Sequence, residues 1–116
     1  MITEDYVSFD TAKLLKEKGF DEACIYVYLH DGSEDIWDTD KEDIACQKPT
    51  LQMAMKWLRK EHNLFIGLEY VNILGLGFVY QSTICRFGDD NMTCLWKHSY
   101  EEALEAAIKY CLEHLI

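Results

Sequence analysis

The chain has 116 residues, 49% hydrophobic and 28% charged, with six glycines and one proline. That is ordinary globular composition, and it excludes low-complexity and collagen-like chains. At 13.6 kDa, a folded monomer exposes about 6,600 Å² against about 20,000 Å² unfolded, enough burial for one core and too little for two. Twenty-one acidic and eleven basic residues leave a net charge of −10. This excludes a generic binder of phosphate backbones, whose affinity rests on Lys and Arg.

The spacing predicts a helix over 8–19. Ser8 is a natural N-cap and Asp10 suits the first turn. Phe9, Ala12, Leu15 and Phe20 mark its apolar side, and Gly19 sits where a left-handed residue ends a helix, letting Phe20 fold back on Leu15. Residues 23–30, β-branched and aromatic, read as a strand. Asp31-Gly32 signals a two-residue hairpin, and 33–38 is the short return strand. Seven Asp and Glu against Lys41 alone occupy 31–43.

Pro49-Thr50 opens a second helix, with Leu51, Ala54, Met55 and Leu58 at helical spacing and Asn63 just past its end. Residues 64–71 read as a mostly buried strand. Gly75 and Gly77 mark a turn, 77–85 a further strand, 88–91 a turn, and 92–97 a short additional strand. Ser99 and Glu102 form a capping box ahead of a last helix striped by Leu104, Ala107, Ile108, Cys111 and Leu115. The expected architecture is a single α+β domain over 1–116. It is a small antiparallel sheet of two hairpins covered by three helices, in the order α-β-β-α-β-β-(β)-α.

Lys48 to Arg59, Ser99 to Leu115 and Ser8 to Phe20 together carry a resemblance. In these segments the chain resembles small uncharacterised proteins of phages and prophages of gut bacteria. Its element order is similar to the phage ABA-sandwich type of domain, in which helices cover both faces of a small sheet. The resemblance implies origin and fold. Its motifs are capping and core patterns and imply no activity.

The acidic stretch is the most unusual feature. Asp38-x-Asp40-x-Glu42 begins as a calcium loop does, but positions six and twelve fall on Asp43 and Pro49 instead of Gly and Glu. Asp35, Asp38 and Asp40 offer negative charge to a basic surface, and Trp37 among them is an interface anchor. Cys94-x3-His98 and Cys111-x2-His114 supply zinc-type donors, yet Cys111 lies on the apolar stripe. The five cysteines are far apart and form no CxxC, which reads as free thiols in a reducing compartment. No cysteine has a catalytic-type local sequence, Gly75-x-Gly77 is a turn, and there is no P-loop. Lys56, Arg59 and Lys60 read as the solvated face of the second helix. Met53 and Trp57, four residues apart, are left partly exposed there and mark an interface through which two copies pair.

The expected protein is therefore a non-catalytic phage or prophage accessory factor acting through an unidentified protein partner, with a homodimer as one form. Its interaction residues are Asp35, Trp37, Asp38, Asp40, Met53 and Trp57. The alternative is an acidic DNA mimic that inhibits a host nucleic-acid-binding protein. A metal-binding protein or enzyme is a lesser alternative. No cofactor, no direct nucleic-acid binding and no membrane contact is expected. The acidic start and the lack of a long apolar run place the chain in the bacterial cytoplasm.

Overall fold

Each helix begins at a hydroxyl. In the computed structural model, which describes residues 1–116, Ser8, Thr50 and Ser99 accept hydrogen bonds from the backbone N–H of Thr11, Met53 and Glu102. These caps start α1 (Phe9–Glu17), α2 (Leu51–His62) and α3 (Tyr100–Tyr110), each meeting N–H groups that the first turn leaves unpaired. The α1 exit is a Schellman turn: Gly19, at φ +102°, donates to Lys16 O, and Phe20 donates to Leu15 O. Phe20 is thereby turned into the core beside Leu15. Asn63 ends α2 in the left-handed region at φ +56°. A π turn, Cys111–Leu115, extends α3. Arg86 donates to His62 O at 3.1 Å and to Leu115 O at 2.8 Å, placing a cation at the carbonyl ends of both α2 and this turn.

The strands divide between two antiparallel sheets. The first, in the order β2-β1-β3, contains β1 (Tyr26–Leu29), β2 (Glu34–Ile36) and β3 (Ile44–Gln47). The second, in the order β4-β5-β6, contains β4 (Leu64–Ile73), β5 (Gly77–Arg86) and β6 (Met92–Lys97). The α+β class, the three helices and the antiparallel pairing agree with the sequence reading, and 92–97 is a full strand. The separation into two sheets comes from β3, which the sequence reading did not contain. It closes on β1 opposite β2 and completes a sheet independent of the long hairpin. The β1–β2 loop also has three residues rather than two. Leu29 N donates to Ser33 O, and Gly32 takes φ +87°, as a three-residue hairpin with a left-handed glycine requires.

One core joins these parts. Ala12 and Leu15 of α1, Leu51, Ala54 and Leu58 of α2, Leu64, Ile66 and Ile84 of the second sheet, and Leu104, Ala107, Ile108 and Leu112 meet in it. Val7, Tyr28 and Cys46 bring the first sheet and the N-terminal segment to the same cluster. Tyr28 Oη donates to Val7 O, and Glu105 Oε1 accepts from Ser8 N. Helices α2 and α3 pack on the second sheet. Strand alternation puts Leu64, Ile66, Leu68, Ser82, Ile84 and Leu95 on the covered face.

Candidate functional site

The opposite face of the second sheet has no helix over it. Register and alternation place Phe65, Glu69, Val71 and Ile73 of β4 there with Val79, Gln81, Thr83 and Cys85 of β5. Met92, Cys94 and Trp96 of β6 share that face. Phe65, Met92 and Trp96 are exposed, and Glu69 is its one charged side chain. Trp96 Nε1 donates to Gln81 Oε1 at 2.8 Å, which ties the indole to its cross-strand neighbour.

The β4–β5 hairpin runs beyond the body. Ten unbroken pairs, Leu64↔Arg86 to Ile73↔Gly77, hold the two strands together. Strand β6 pairs only as far as Tyr80, opposite Lys97. Residues 70–78 are therefore a two-stranded ribbon without a third strand, while Val79 at its base, on the helix-free face, is buried at 2% exposure. Tyr70 and Phe78 stack at 5.4 Å, and Tyr70 meets Tyr80 at 5.0 Å, yet Tyr70 and Phe78 are each 63% exposed. Leu74 and Leu76 at the tip are exposed too. No residue from 70 to 80 is charged. The expectation that 64–71 is mostly buried holds only at its start: Leu64 and Ile66 are buried, whereas Phe65, Glu69 and Tyr70 are exposed.

The residues named from sequence lie elsewhere. Asp35, in β2, is exposed and accepts from Ile36 N at 2.8 Å. Trp37 is 66% exposed, and its N–H donates to Ile25 O. Asp38 and Asp40 are exposed, and Asp40 Oδ1 caps the short 3-10 turn Lys41–Asp43 by accepting from Glu42 N. In this stretch only Glu34 finds a cation, pairing with Lys48. Lys48 is itself set among the rings of Tyr6, Tyr28 and Tyr26, at 4.8, 5.3 and 5.9 Å, and burial pushes its pKa down. That aromatic cage is filled by the chain's own ammonium group and fastens the N-terminal segment to the first sheet.

Met53 and Trp57 do lie together, lining a cavity of about 290 Å³ with Phe20, Lys56 and Lys60. The expectation for Trp57 needs correction. It is only 8% exposed, because Phe20 packs edge-on at 5.6 Å and His62 at 4.8 Å. The Schellman turn that ends α1 delivers Phe20 to this spot, a long-range event that helical spacing in α2 cannot reveal. Met53 is 37% exposed. The acidic set and the α2 pair sit on different elements, and no hydrogen bond or ion pair joins them.

The thiols are chemically quiet where they are buried. Burial pushes Cys24 up to about 11 and Cys111 up to about 12, and also raises Cys46. Cys94 and Cys111 do not join their histidines in a cluster: no group of three or more His, Cys, Asp or Glu side chains is placed to hold a metal ion. No helix is long and apolar enough to cross a membrane. Compared with protein-family models, with curated proteins and with solved structures, the chain matches none.

Proposed function

We propose that the chain is a non-catalytic interaction protein that docks through the β4–β5 hairpin and the helix-free face of its sheet. One observation carries this reading. An uncharged ribbon with Tyr70, Leu74, Leu76 and Phe78 in solvent projects from a molecule that otherwise carries a charge of −10. Contiguous apolar surface on a soluble chain marks a docking site, and aromatic side chains supply most of the energy in such sites. Burial holds Cys24, Cys46 and Cys111 in the neutral thiol form, which takes these three out of nucleophilic roles, since a thiolate is the reactive form. The phage or prophage setting rests on the sequence resemblance alone.

A second reading has its own observation. Asp35, Asp38, Asp40, Glu42 and Asp43 are exposed and pair with no cation. That unneutralised charge favours capture of a basic host protein in the manner of a DNA mimic. Pull-downs from host lysate at low and moderate salt separate the two, using wild type, Leu74→Asp/Leu76→Asp and Asp35→Asn/Asp38→Asn/Asp40→Asn. The docking reading expects salt-resistant capture that the hairpin variant abolishes and the neutralised variant retains. Salt-labile capture abolished only by neutralisation overturns it in favour of the mimic.

A further inference from the structure

β4 is the edge of its sheet, and its free side is open from Leu68 to Ile73, whereas Leu64 and Ile66 are covered, at 1% and 4% exposure. Every second residue of an antiparallel strand points its N–H and C=O away from its partner. No backbone or side-chain group of the chain hydrogen-bonds to those outward groups. Sheets usually protect such an edge with proline, lysine, a bulge or a very short strand. β4 has none of these: its sequence is LFIGLEYVNI, its register with β5 is unbroken, and Glu69 is its one charge.

We infer that the occupant of this edge is β4 of a second copy, joined antiparallel about a twofold axis into a six-stranded sheet. The inference rests on the docking reading above and adds a second copy at the β4 edge, beside the tip and face that capture another protein. Two arguments point to a second copy. An antiparallel strand pair is self-complementary, so one surface serves both subunits of a twofold dimer. The edge is also where two molecules of charge −10 can meet with little opposed charge, since Glu69 is its only carboxylate.

The pairing also supports the ribbon. An isolated two-stranded hairpin is marginal in water. Antiparallel joining of the two β4 strands sets the helix-free end of each sheet beside the helix-covered end of the other. A register centred on Tyr70, with Leu68 opposite Asn72 across the axis, keeps the two Glu69 carboxylates from facing each other, as like charges directly opposite destabilise a sheet.

The test is sedimentation of the full chain across the micromolar range, with wild type, Asn72→Lys, Tyr70→Lys, Trp96→Ala and Met53→Lys. Asn72 is exposed and makes no side-chain hydrogen bond, so its lysine variant keeps the fold. The expected result is a concentration-dependent dimer whose Kd rises roughly tenfold or more in Asn72→Lys and Tyr70→Lys and is unchanged in Trp96→Ala and Met53→Lys. A monomer at every concentration overturns self-pairing. So does a dimer lost with Trp96→Ala (packing through the open face) or with Met53→Lys (packing through α2). If the chain is monomeric while Leu74→Asp/Leu76→Asp still abolishes salt-resistant capture, self-pairing fails and the docking reading stands. If both are lost, the docking reading falls with it.

Discussion

Trp57 and Cys111 show how one side chain's environment decides what it does. Trp57 was readable as an apolar residue near the margin of an amphipathic face. Its burial depends on Phe20, thirty-seven positions earlier, and on no local signal. Its role is therefore in the core: Trp57→Ala should lower stability by about 3–5 kcal/mol, the usual cost of removing a buried aromatic, read as a fall in denaturant midpoint. Cys111 was readable as a core residue, because it continues the stripe of Leu104 and Ile108. Burial holds its thiol neutral up to about 12 against an ordinary 9.0. The folded-state pKa is raised, so the stabilisation is complete below pH 9 and is lost as pH climbs toward 12. Tyr28, also raised by burial, acts in the same direction. The Tm should fall steadily above pH 9, with a shallower slope in Cys111→Ala. In the native protein at neutral pH a maleimide should label Cys85 and Cys94, which are partly exposed, and should spare Cys24, Cys46 and Cys111 until unfolding. Rapid labelling of all five in the native state would contradict this assignment.

At the scale of elements, the helices were the most legible part. A cap, an apolar stripe and a stop residue are local, and Ser8, Gly19, Thr50, Asn63 and Ser99 all act where the sequence puts them. Strands were legible as segments and not as sheets, because pairing is a long-range choice. Ile44-Ala45-Cys46-Gln47 is short and follows the acidic run, so nothing local announced β3. The hairpin was visible as two strand segments, and its glycine-marked turn was placed correctly at 75–77. Its exposure was not visible, because that depends on where α3 and β6 stop. The hairpin tip should therefore contribute little to folding. Leu74→Asp/Leu76→Asp should shift the thermal midpoint by no more than the small amounts typical of exposed positions, about 0.5 kcal/mol per site or less. A large loss of stability would mean that the tip packs on the body.

The whole molecule carries the mark of that projection. A compact chain of this length has a radius of gyration of about 13 Å, and this one measures 15.1 Å with extents of 50 × 34 × 22 Å. Its exposed surface is 7438 Å², above the about 6,600 Å² expected at this mass. The ribbon, with Tyr70, Leu74, Leu76 and Phe78 in solvent, contributes to that excess. The negative charge is concentrated elsewhere, along 31–43. The molecule thus separates an acidic first sheet from an uncharged apolar arm, and interaction through the arm is the proposal to test. Amide hydrogen exchange, measured by mass spectrometry on the full chain at low and high micromolar concentration, tests that proposal most directly. The prediction is that amides within 64–73 exchange more slowly at the higher concentration while those within 31–43 and 51–62 do not change. Equal exchange of 64–73 at both concentrations, or new protection confined to 31–43 or 51–62, would contradict it.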